Sequence, residues 1–238
     1  MGILPGIGNR EFHVRNRKLA GFTKVLSHEN PTKLADLEEL DISKMAAANF
    51  EAAIALIDEA HSEDPNIVTV AGKEIPYELH YAQKSTHYLG LREPNASPVL
   101  KTAVRAQHFR RWEVPRTTYP ATRVGYFAWR TFLKKRQADL ASEICTRCNY
   151  TSEEAEAVAA LIRKEDMKSN VESQILEDVA CLVFLDDQFE KFEKEHDEEK
   201  IISILQKTWA KMTEGGHKLA LEMELSDRAK ELVGKALS

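Results

Sequence analysis

The chain has 238 residues, 33 Lys and Arg against 38 Asp and Glu, a formal net charge of −5 and 43% hydrophobic residues. That is enough for one large domain or two small ones with a real core. It excludes a spanning helix, since no apolar run approaches the roughly 18 residues a span needs. It also argues against a disulfide framework, since Cys145, Cys148 and Cys181 are the only cysteines. With no basic-then-apolar leader in MGILPGIGNREF, the expected address is a reducing, cytoplasmic one.

Helical spacing dominates the chain. A helix is expected near Asn9–Phe22, and Ser43 reads as the N-cap of another that ends near His61, with Phe50, Ala53, Ile54 and Ile57 on its apolar stripe. Val68–Gly72 suits a small hairpin. After Pro76 a helix runs to about Leu91. Ser97-Pro98 supplies an N-cap with Pro at the first helical position, opening a helix to about Trp112. Pro115 and Pro120 make 113–123 irregular. A long helix follows from about Gly125 to Cys148. Thr151-Ser152-Glu153-Glu154 is a capping box for a helix to about Arg163. Val171–Phe192 is apolar all round its centre and predicts the core helix. Glu198–Thr213 is amphipathic and should stop at Gly215-Gly216, and Ser226 caps a last short helix. The expected fold is all-α, a single helical domain divided into an N-terminal extension (1–42), a core (43–225) and a C-terminal helix (226–238).

Charge is distributed unevenly. Residues 101–136 hold ten of the 33 basic residues and only one of the 38 acidic ones, Glu113, a formal +9, which leaves the rest at 23 against 37, a formal −14. Phe, Trp and Tyr interleave with the cations. Such an island suits a polyanion: Lys and Arg neutralise phosphate, and aromatic faces stack on unpaired bases. Arg105, Arg110, Arg116, Arg123, Lys134, Lys135 and Arg136 are the candidate polyanion-binding residues. The bland alternative is a solvated helix face with internal ion pairs.

Polar residues on apolar faces mark the candidate site. Gln107, His108 and Arg111 continue the stripe of Leu100 and Val104. His80 shares a face with Gln83, Lys84 and His87. Arg130 and Gln137 fall on the stripe of Leu133 and Leu140, and Glu177-Asp178 precede the apolar centre of the core helix. Buried polar groups need partners, so these side chains are expected to meet in one polar cavity. His80, His108 and Asp178 follow the order of ligands in the HD phosphohydrolases, and the pattern resembles a degenerate HD helical core. Phe109 stands where that family needs Asp, which argues against a bound metal. Cys145-Thr146-Arg147-Cys148 lacks the second pair a zinc site wants. There is no phosphate-binding glycine loop and no GxSxG or HExxH motif, and no cofactor is expected.

The segments ELHYAQK (78–84), AVRAQHFRRWEVPR (103–116), YPATRVGYFAWRTFLKKRQADLA (119–141) and EDVACLVFLDDQFEKF (177–192) resemble a domain-of-unknown-function family of fungi and bacteria whose members are often labelled glutamyl-tRNA-synthetase-like. Through it the chain resembles the fungal arginine-containing cyclodipeptide synthases. The resemblance implies an enzyme that takes arginine from arginyl-tRNA, joins it to a second aminoacyl group from another charged tRNA and closes a diketopiperazine. No ATP is needed, because the ester is already activated. An arginyl side chain calls for a buried carboxylate, here Glu177 or Asp178, with Glu172 one turn earlier. Arg130 and Gln137 complete the substrate set, and Gln137 departs from the His that members of the resembled family often have there. Aminolysis needs a base, His108 or His80, and an oxyanion donor, Arg111 or Gln107. The alternatives are an HD-like metal-dependent hydrolase of a small phosphorylated metabolite and a non-catalytic tRNA-binding module.

Overall fold

Cap residues and glycines set most element boundaries. The computed structural model describes residues 31–238, with side chains from 41 onward; the helix expected near Asn9–Phe22 lies outside the described residues. Helix α1 spans Pro31–His61, so Ser43 is inside it rather than at its cap. Residues 34–43 contain no Gly or Pro to interrupt the helix, and Pro31 takes the first helical position. Ala48–Ser238 form the compact unit that holds the site.

The hairpin forms as expected. Strands β1 (Ile67–Val70) and β2 (Lys73–Pro76) pair antiparallel with Val70 opposite Lys73. The two residues between them, Ala71 and Gly72, both have positive φ, 49° and 78°, which suits a tight primed hairpin turn.

Helices α2 (Tyr77–Arg92), α3 (Pro98–Ala106), α4 (Arg123–Arg147), α5 (Ser152–Arg163) and α6 (Val171–Val183) follow. Ser97 accepts from the Leu100 amide, Thr122 from that of Gly125, and Thr151 with Glu154 closes the capping box. Gly125 is required here: a Cβ would sit 2.3 Å from the Pro120 carbonyl oxygen. Helix α3 ends at Ala106, well short of Trp112. Arg110 then adopts a left-handed conformation, φ 51°, and residues 111–113 form a 3₁₀ turn.

The expected 171–192 helix is interrupted. Phe184–Gln188 form a π-helical turn between α6 and α7 (Phe189–Lys194). Such turns insert a residue and re-aim side chains, often beside functional sites. Helix α8 (Glu198–Trp209) ends before Thr213, and Gly215-Gly216 open a further helix, α9 (Glu214–Leu221), instead of stopping α8. Thr213 caps α9. At Gly216 a Cβ would lie 2.6 Å from Asp178 Oδ1, so close approach to α6 explains the glycine. Helix α10 (Asp227–Leu237) is capped by Ser226 as expected.

The core forms around α6, which packs on α2, α3 and α9, while α4 packs on α5 and α8 on α10. Leu176, Val179, Leu182 and Val183 of α6 are fully buried with Leu100, Val104 and Val158. Each such side chain contributes about 1.5–3 kcal/mol by leaving water. No helix among the described residues is long and apolar enough to cross a membrane.

Candidate functional site

One face of α4, the end of α3 with the turn after it, α6 with the π turn, and the end of α8 enclose a cavity of about 1010 Å³. Ligand pockets run to about 1,000 Å³, so it has room for a substantial ligand. Arg111, Arg123, Arg130 and Lys134 line it from the basic island, and Lys164, Lys207 and Lys211 from the acidic remainder of the chain. Glu177 is the sole acidic residue of the lining among the described residues.

His108 sits against Tyr81 with the rings stacked, centroids 4.0 Å apart. Arg111 Nη1 lies 3.1 Å from His108 Nε2, and its guanidinium lies 4.7 Å from the centroid of the Trp129 ring. A guanidinium only donates, so Nε2 must accept, and the imidazole is neutral with its proton on Nδ1. Burial, followed by the charge of Arg111, holds the His108 pKa well below its ordinary value. Burial also lowers Arg111. The cavity therefore contains an uncharged imidazole and a guanidinium with no carboxylate partner among the described residues.

Glu177 is 6% exposed and pairs with Lys164 and, at 3.5 Å, with Lys211. Burial pushes its carboxyl up, but the Lys164 ammonium outweighs that and the net shift is downward, so the carboxylate stays ionised. Gln107 donates to Ser85 Oγ at 3.3 Å. Gln137 is 3% exposed, and its Nε2 is buried with no hydrogen-bond partner among the described residues. Cys181 lines the wall with its thiol pushed up to about 12, by burial first and Glu177 second, which leaves it protonated and a poor nucleophile.

The structure brings His108, Gln107, Arg111, Arg123, Arg130, Lys134, Gln137 and Glu177 to one cavity and sets other candidates apart from it. His80 Nε2 lies 3.2 Å from Asp187 Oδ1. The other oxygen of Asp187 accepts from the Tyr77 hydroxyl at 2.7 Å. Helix α2 thereby ties down the π turn, whose Phe184 and Gln188 face the cavity. Asp178 is fully buried and accepts from Arg92 Nε at 2.8 Å, the Thr213 amide at 2.7 Å and Thr213 Oγ1 at 2.6 Å; it fastens α9 to α6. Glu172 accepts from Ser97 Oγ at 2.7 Å, at the start of α3. These three residues are structural ties, so the expected roles of His80 as a base and of Asp178 and Glu172 in arginine binding are corrected on placement. Nor do His80, His108 and Asp178 converge as HD ligands. Among the described residues no group of three or more His, Cys, Asp or Glu is arranged to hold a metal.

The basic island divides in the same way. Arg105 makes a two-point pair with Asp58 at 2.6 and 2.7 Å. Arg110 pairs with Glu63 and Glu113, and Arg136 with Glu113. Arg116 holds the carbonyls of Tyr119, Pro120 and Thr122. Arg105 thereby ties α3 to α1, and the other three brace the 106–123 region internally, in place of the free phosphate-binding role expected of the four. Lys135 is exposed on α4 and does not line the cavity. Lys164, Lys207, Lys211 and Gln188 were missed by sequence reasoning. Only Lys164 carried a signal, as the first residue after a helix end.

An all-α domain built around a cationic, partly aromatic cavity is the class that fold and site define. The chain belongs to the family described as "Domain of unknown function (DUF4202)", which matches residues 51–233 and so spans every cavity-lining residue. No curated protein and no solved structure matches the chain.

Proposed function

We propose that the protein is a tRNA-dependent cyclodipeptide synthase that joins arginine, delivered as arginyl-tRNA, to a second aminoacyl group and releases a cyclo-Arg-Xaa diketopiperazine. The observation that carries this reading is the pairing, inside one cationic cavity, of a neutral imidazole with a lone buried carboxylate. Seven cations with Tyr126 and Phe127 at the rim suit the phosphates and unpaired bases of an acceptor end. Among the described residues Glu177 is the one lining carboxylate for the guanidinium. Lys211, half-exposed and 3.5 Å away, is the partner an incoming guanidinium displaces.

The chemistry is two aminolyses. The α-amine of one aminoacyl group, freed of its proton, attacks the ester carbonyl carbon of the other. A C–N bond forms, the C–O bond to the terminal ribose breaks, and the ribose oxygen leaves with a proton. The amine of the resulting dipeptidyl ester then attacks its own ester carbonyl, closing the six-membered ring and releasing the second tRNA. His108 is the base. At rest its Nε2 is occupied by Arg111. When Arg111 turns to the carbonyl oxygen it stabilises the oxyanion and frees the nitrogen that takes the proton. General base catalysis contributes about 10²–10⁴-fold, so His108→Gln should lower diketopiperazine formation by that order in a reaction with purified protein and charged tRNA, with tRNA affinity little changed. Full activity of folded His108→Gln would remove the assigned base.

A further inference from the structure

Helix α4 presents cavity-lining side chains in a graded order. Arg123 and Phe127 at its start are exposed, Arg130 and Lys134 are half-buried, and Gln137 is closed off. Offsets of 4, 7, 11 and 14 keep the five on one face, over about 21 Å of helix. Cations and rings alternate at the mouth: the Arg123 guanidinium lies 5.6 Å from the Phe127 centroid, and that of Arg130 5.7 Å from Tyr126. Phe127 is 53% exposed, which leaves much of its ring open for a base to stack on. Among the described residues Arg123, Arg130 and Lys134 have no carboxylate partner. Burial and then Arg130 and Lys164 push the Lys134 ammonium down, as expected where like charges crowd together. An anion between them removes that cost. At the floor the series ends on the Gln137 amide, a neutral group whose buried Nε2 lacks a partner among the described residues.

We propose that this face of α4 is a track for the unpaired 3′ end of an RNA, which enters at Arg123 and Phe127, sets phosphates on Arg130 and Lys134, and brings its terminal group to Gln137 beside His108. Alternation of rings with cations favours a strand over a free phosphorylated metabolite, because stacking and phosphate neutralisation are then both used. The proposal rests on the synthase reading only for what the strand carries, an aminoacyl ester.

The test uses the full chain, a 5′-fluorescein-labelled ACCA ribotetranucleotide read by anisotropy, and inorganic pyrophosphate read by thermal shift. Phe127→Ala should weaken the tetranucleotide roughly tenfold, as expected when one base loses its stacking platform, and leave the pyrophosphate shift unchanged. Phe127 is exposed, so this variant keeps the fold. Arg130→Gln and Lys134→Gln should weaken both ligands and flatten the tetranucleotide's log–log salt slope by about 0.7 for each phosphate left without its cation. Wild-type tetranucleotide affinity in Phe127→Ala and Lys134→Gln would overturn the track. So would a wild-type protein that binds pyrophosphate and not the tetranucleotide, which would give the cavity to a small phosphorylated molecule. If the tetranucleotide follows the track but no cyclodipeptide forms from charged tRNA, the track stands and the synthase reading falls.

Discussion

Asp178→Asn separates a structural carboxylate from a substrate-binding one. Asp178 is fully buried on α6 and accepts three hydrogen bonds, from Arg92 and from the amide and hydroxyl of Thr213. Asn keeps the shape but removes the charge opposite Arg92, which is itself mostly buried, and points an NH₂ at one of the donors. Breaking a buried pair from one side costs about 3–5 kcal/mol. Against a total stability of about 5–15 kcal/mol that is a large share. It corresponds to a drop in Tm of roughly 6–20 °C for a domain of this size. Urea unfolding followed by circular dichroism gives the free energy directly, and thermal unfolding gives the Tm. Gly216→Ala, which forces a methyl against the same carboxylate, should destabilise in the same direction. The refuting result is Asp178→Asn with wild-type stability and a selective loss of arginine use, which would return Asp178 to the substrate site.

Glu177→Gln should behave in the opposite way. It removes the one negative charge of the lining among the described residues, so arginine incorporation should be lost while the pyrophosphate-induced thermal shift grows; an unchanged shift would mean that Glu177 does not set the cavity potential. The depressed pKa of His108 has a definite sign. Its contribution to stability is present above the unfolded pKa of about 6.5 and is lost as pH falls, because the unfolded chain takes up a proton that the folded imidazole resists. Thermal unfolding between pH 7.5 and 5 should show that loss in the wild type and less of it in His108→Gln. Cys181 and Cys145, both pushed up to about 12 with burial as the first cause, should resist iodoacetamide at pH 8 in the native protein and react in urea, as mass mapping of the alkylated peptides would show.

Local chemistry made much of the fold legible. Ser97-Pro98, Thr151 with Glu154, and Ser226 state helix starts outright, and Ala71-Gly72 allow only a tight turn. What failed depended on distant partners. The glycines at 215 and 216 read as a helix stop, yet Gly216 opens α9 because the Asp178 carboxylate lies against it. The π turn at Phe184–Gln188 has no local signature; its Asp187 is drawn to Tyr77 and His80 more than a hundred residues away. The cavity was half legible. The face of α4 and the His108–Arg111 end of the α3 stripe followed from spacing. Lys207 and Lys211 did not, because they lie outside the basic island and a lone lysine near the end of an amphipathic helix reads as solvated; Lys164 carried only its place after a helix end. Conversely, the island's charge overstated its free surface: Arg105, Arg110 and Arg136 pair with Asp58, Glu63 and Glu113, and only folding reveals those partners.

The most direct test of the central claim is to express the chain and its Glu177→Gln variant in a microbial host and search the extracts by mass spectrometry for a new cyclo-arginyl dipeptide. The synthase reading predicts a cyclo-Arg-Xaa product with the wild type and none with Glu177→Gln. Purified protein should form the same product from charged tRNA, with sensitivity to ribonuclease and indifference to EDTA. The contradicting result is a folded wild-type protein that yields no diketopiperazine from charged tRNA and instead hydrolyses a phosphorylated metabolite in a reaction stopped by EDTA and restored by a divalent metal.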